Sequence, residues 1–198
     1  MKAKKIPGIP EQKRGGFHDT ETKKTYDNAE IVTEKFNILK ERLFSVNQWK
    51  SYCREGFTDF KLYDAYGNHV ERFCKIGDFV RIDIPGPGET EAKGYDWVQI
   101  ISIFNEDNES IITCKPSMKP GKRKNFHIAH FYSEKASSSF RIVKGIDFIE
   151  SGIYGRNETP NFNASFLDIL RNMVTAIGGM MGIAKIQWKR LSDGLLDF

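Results

Sequence analysis

Cysteine is scarce in this chain. Cys53, Cys74 and Cys114 are the only three, widely spaced and without a CxxC pair. So sparse and odd a count excludes a disulfide framework and suits a reducing compartment. Long apolar runs are missing too. The least polar stretch, Met173 to Ala184, is about a dozen residues, short of the ~20 that a membrane helix needs. The first residues carry lysines but no apolar signal core, because Pro7 and Pro10 interrupt them. Catalytic signatures are also lacking. There is no GxSxG nucleophile turn, no Cys/His cluster for zinc, and no internal repeat. Gly86-Pro87-Gly88 is no phosphate loop, since it lacks a GK[ST] ending and a following helix. The expectation is a soluble cytoplasmic protein, bacterial, with no metal and no cofactor.

Charge is absent where it would matter for nucleic acid. The net charge of +4 lies wholly in residues 1–24, which hold seven Lys/Arg against three acids. Residues 25–198 are electroneutral, which argues against a dedicated nucleic-acid surface. Residues 1–27 are polar, with Pro7, Pro10, Gly15 and Gly16 and no periodicity. They predict a basic arm, extended or disordered and dispensable for folding. Residues 28–198 are then a single domain.

What is present is a change of period along the chain. Ala29 to Phe36 reads as a short first strand. Leu39 to Cys53 reads as one helix, or two broken near Ser45, with Leu39, Leu43, Val46, Trp49 and Cys53 on one face. From Phe57 the period becomes two. Strands are expected at Phe57–Tyr63, Val70–Phe73, Phe79–Ile84, Trp97–Phe104, Ser110–Cys114, Phe126–Tyr132, Ser138–Val143 and Asp147–Ile153. Their short connections make the sheet antiparallel. Asn163 or Ser165 then caps a long final helix. Its apolar stripe runs through Phe166, Leu170, Met173, Ile177, Met180/Met181, Ala184, Trp188, Leu191 and Leu195, in steps of three and four. The fold class is α+β: a curved antiparallel sheet of about six to eight strands gripping a long C-terminal helix, with one or two short helices after the first strand.

This order of elements resembles the helix-grip superfamily, which includes START-like lipid-transfer domains, polyketide cyclases and the birch-pollen-allergen group. Two segments carry the likeness. Phe44-Ser45-Val46-Asn47-Gln48-Trp49 is similar to the stretch between the first helices of such domains. Gly77-Asp78-Phe79-Val80 is similar to the entry of one of their strands. The resemblance implies a cavity between sheet and final helix that accepts a small apolar molecule, although fold alone never fixes function.

Several residues could line or work in such a cavity. Gly178, Gly179 and Gly182 make room within the helix, and Met180 and Met181 beside them are adaptable. Met173, Ile177, Met180, Met181 and Trp188 would line it from the helix, and Trp97, His130 and Tyr132 from the sheet. His127 and His130 are separated by an odd step and point to opposite faces of a strand. His18 and His69 sit in polar tail and turn contexts. Arg156-Asn157-Glu158 reads first as a structural clasp on loop carbonyls. Asp96, between Tyr95 and Trp97, reads first as a partner of loop amides. Three functions follow: binding of a small hydrophobic or amphipathic molecule, a cyclase- or hydrolase-type enzyme with His130, Asp96 or Glu158 as acid or base, and an SH3-like interaction barrel centred on Lys75 to Ile103.

Overall fold

The computed structural model describes residues 2–53, 58–83, 95–121, 128, 130, 132–161 and 183–198. Among these residues seven strands form one antiparallel sheet: β1 (Gly16–Thr25), β2 (Asp59–Tyr63), β3 (Phe79–Asp83), β4 (Asp96–Asn105), β5 (Glu109–Pro116), β6 (Ser137–Lys144) and β7 (Phe148–Glu158). Their order across the sheet is β1-β7-β6-β5-β4-β3-β2, so the first two strands are its edges. Among the described residues three helices cover one face: α1 (Ala29–Phe44), the single turn α2 (Trp49–Tyr52) and α3 (Ile183–Leu195). This is a helix-grip α+β fold.

Three sequence expectations are corrected. Ala29–Phe36 is not a strand but the first half of α1. Asn28 caps it, its side-chain oxygen accepting from Glu30 N at 2.7 Å. Val32, Phe36, Leu39 and Leu43 are buried in steps of four, three and four, so the helical period outweighs the β-branched composition. Val70–Phe73 is a loop. Asn47 holds it, donating to Val70 O and accepting from Leu62 N, and Asp78 accepts both prongs of Arg72.

The third correction concerns the arm. Residues 16–25 are β1, paired along their length with β7. Its side chains GFHDTETKKT are polar on both faces, so hydrophobic alternation could not reveal it. The break near Ser45 is as expected. α1 ends there, a 3-10 turn spans Val46–Gln48, and Trp49 Nε1 donates to the carbonyls of Arg42 and Leu43.

The core lies between the sheet and the helices. Phe60, Leu62, Val98, Ile112, Ile142 and Ile153 meet Phe36, Leu39, Leu43, Trp49 and Leu191 there. The described residues of the span Lys75–Ile103 supply β3 and most of β4 to this one sheet. The C-terminal helix is described from Ile183 onward. The strand expected at Phe126–Tyr132 and the glycine cluster Gly178, Gly179 and Gly182 fall largely or wholly outside the described residues.

Candidate functional site

Alternation on β1 sends His18, Thr20 and Thr22 toward the helices and Asp19 and Glu21 to the outer face. On β7, Ser151, Ile153 and Gly155 share the helix side, opposite those three residues. Gly155 lies across from His18, and its lack of a side chain is required. A Cβ there would sit 2.2 Å from His18 Nδ1 and 2.1 Å from Glu158 Oε1.

Glu158 is three residues beyond Gly155, so a regular strand would turn it to the outer face. Two local features turn it back. The register of β1 against β7 shifts between Gly16 and His18, a bulge that sets two residues, Arg156 and Asn157, against Phe17 alone. Within it Asn157 takes φ 56°, among the described residues the one non-glycine position in the left-handed region. Glu158 thereby reaches His18. Glu158 Oε1 and His18 Nδ1 are 2.8 Å apart, both side chains more than nine-tenths buried. Glu158 is acceptor-only when ionised, so the proton between them sits on Nδ1. His18 Nε2, also buried, has no hydrogen-bond partner among the described residues.

Aromatic rings wall this polar pair. Trp188 on α3 lies parallel to the His18 ring, centroids 6.3 Å apart and planes 8° from each other. Trp188 also meets Phe140 at 5.7 Å and Phe60 at 6.4 Å, and Trp49 closes on both phenylalanines. Tyr132 joins from the loop before β6. Burial, and then the charge of Glu158, push its phenol well above the usual tyrosine range. His130 packs against Tyr132 with ring centroids 5.9 Å apart, and its Nδ1 accepts from Tyr132 N at 2.9 Å. Asn161 donates to the carbonyls of Ile128 and His130, tying this loop to the chain just after Glu158. A groove of about 540 Å³ opens between β1 and α3, lined by Asp19, Thr20, Glu21, Ile186, Lys189 and Arg190.

The outer face behind the pair is clamped by the N-terminal segment. Arg156, fully buried, donates to the carbonyls of His18 at 3.0 Å, Gly155 at 2.8 Å and Lys4 at 2.9 Å. It also forms an ion pair with Asp19 at 2.7 Å. Asn157 Oδ1 accepts from the backbone of Lys13 and Arg14, and its Nδ2 donates to Glu11 O. The expected clasp at Arg156-Asn157-Glu158 is present. It lies within β7, and what it holds is residues 4–14 of the supposed free arm.

Of the residues singled out from sequence, the structure gathers Trp188, Tyr132, His130 and Glu158 around one place. Trp97 stands elsewhere. It alternates with Val98, so it lies on the outer face with Tyr63, Phe79 and Tyr95. Asp96 is buried at the head of β4, three strands from β7. Met173, Ile177, Met180 and Met181 lie outside the described residues. His18 was missed, because its polar neighbours read as tail. No group of three His, Cys, Asp or Glu able to hold a metal occurs among the described residues, and no described helix is long and apolar enough to cross a membrane.

No family model matches the chain, and no curated protein does. Solved structures do. A hypothetical protein of Helicobacter pylori superposes with a TM-score of 0.59 at 10% identity, covering 96% of this chain and 89% of that one. Ara h 8.0201 gives 0.42 at 12% identity, over 92% and 100%. Ginseng major latex-like protein 151 from Panax ginseng gives 0.37 at 14% identity, over 82% and 96%. At such identities the likeness is one of fold.

Proposed function

We propose that this protein binds one small hydrophobic or amphipathic molecule between the helix side of its sheet and the C-terminal helix. The observation that carries the reading is His18 Nε2, a polar atom buried beneath Trp188 without a partner among the described residues. A buried group left so costs about 1–3 kcal/mol. A ligand hydroxyl or similar donor would remove that cost, while Trp188 and Tyr132 received its apolar body. His130 would hold Tyr132 in place. Met173, Ile177, Met180 and Met181 complete the lining in this reading. Trp97, on the outer face, does not take part.

The test is titration with 1-anilinonaphthalene-8-sulfonate, followed by fluorescence at a temperature well below the melting midpoint. One saturable equivalent is expected, with affinity at least ~10-fold weaker in Trp188→Ala, the loss of one large aromatic contact. Absence of saturable binding by the wild-type protein would overturn the reading.

A further inference from the structure

We infer that His18 and Glu158 are an acid–base pair that moves a proton on the molecule bound beneath Trp188. The inference rests on the binding reading and goes beyond it, from holding a molecule to changing it.

Three independent features fix one imidazole in one orientation. Gly155 leaves space on the strand opposite, since any Cβ there would strike both members of the pair. The bulge and the left-handed Asn157 bring Glu158 to the helix side. From behind the sheet, Arg156 holds the His18 carbonyl. A left-handed non-glycine residue costs on the order of 1–3 kcal/mol. Stability alone is a poor reason to keep such an arrangement, because a buried ion pair is often no better than apolar packing.

The chemistry follows from the tautomer. In the neutral ring Glu158 holds the imidazole proton on Nδ1, which leaves the lone pair on Nε2. When Nε2 takes a proton, the ring becomes an imidazolium whose charge the adjacent carboxylate balances. Nε2 is then the catalytic base, and Glu158 is a positioning residue. No Ser, Thr or Cys side chain is bonded to Nε2 among the described residues, so the pair serves no nucleophile there.

The substrate class is therefore a carbon acid with a flat apolar body, and the reaction an isomerisation. The C–H bond breaks, its electron pair enters the conjugated system, and Nε2 holds the proton. The same proton then returns to another atom of the same molecule. No co-reactant is consumed.

5-Nitrobenzisoxazole tests the step directly. A base removes its C3 proton, the C–H electron pair completes a C≡N bond, and the N–O bond breaks to release a coloured cyanonitrophenolate. Wild-type protein should turn it over with saturation. His18→Gln should lose on the order of 100-fold in kcat with its circular dichroism spectrum unchanged. Glu158→Gln should lower kcat at least ~10-fold with KM within about threefold, the signature of an effect confined to the transition state. Equal turnover in wild type and His18→Gln overturns the inference.

Probe binding without wild-type turnover also overturns it and leaves the binding reading standing; loss of both overturns both. Nitrogen-15 NMR of the wild-type imidazoles needs no variant. The Nδ1–H tautomer at His18 is expected, and an Nε2–H tautomer would overturn the inference.

Discussion

Arg156 offers the sharpest test of how the N-terminal segment is built into the fold. Arg156→Met preserves most of the side-chain length and removes every donor. The carbonyls of His18, Gly155 and Lys4 lose their partner at once, and Asp19 loses its ion pair. Breaking a buried pair by deleting one member costs about 3–5 kcal/mol. The lower end applies here, because the Asp19 side chain is 14% exposed and keeps its bond from Lys4 N. A loss of about 3 kcal/mol in a chain of this length lowers the melting midpoint by about 6–12 °C. Arg156→Lys separates charge from shape. The ammonium still faces Asp19 but cannot fork to three carbonyls, so a loss of about 1–2 kcal/mol is expected. Urea titration at constant m-value gives both figures, and hydrogen exchange locates them. Amides of residues 4–14 should lose protection in both variants. A midpoint for Arg156→Met within 1 °C of wild type, or destabilisation with those amides still protected, would refute the clasp.

Gly155→Ala should cost about 1–3 kcal/mol by overpacking and separate His18 from Glu158; a denaturant titration with no change would show that the pair shifts freely. Asn28→Ala should cost about 1 kcal/mol through loss of the α1 cap, read from the same titration. Burial raises the thiol of Cys53 to about 11 and that of Cys74 to about 12, from a starting value of 9.0. At pH 8 neither should react rapidly with a disulfide reagent until the protein is unfolded. Because the unfolded thiols ionise first, stability is fully present below pH 9 and falls as pH rises toward 11–12, by about 1.4 kcal/mol per pH unit for each thiol. Urea midpoints unchanged between pH 8.5 and 10.5 would contradict this.

The sequence showed its strands where one face is buried and the other wet. β2 and β3 alternate in that way and were readable within a few residues. β1 was invisible for a physical reason. Its helix-side residues His18 and Thr22 bond to the carboxylates of Glu158 and Asp193, and its outer residues meet Lys4 and Arg156. Hydropathy cannot report a strand whose partners are hydrogen bonds. Arg156 and Asn157 were legible as a clasp because Arg and Asn suit carbonyls and tight turns. What they hold was not, since the contacts join residues about 140–150 positions apart.

The same reasoning explains why the candidate site itself escaped. Glu158 and His130 were named from residue type, and Trp188 and Tyr132 from periodicity. The residue that joins them, His18, sits on the strand that hydropathy could not see. Gly155 and Asn157 gave the remaining signal: a glycine and an Asn three and one residues before a carboxylate, at the end of a strand. Read as loop residues they carry no message. Read as a bulge they place that carboxylate on the face of Gly155, where its partner across the edge strand must be the residue opposite Gly155. In the observed register that residue is His18. The pairing was thus encoded in the backbone chemistry of β7 and not in any motif of side chains. Reverting Asn157 to a residue that disfavours the left-handed region should turn Glu158 outward and empty the pair without touching either member.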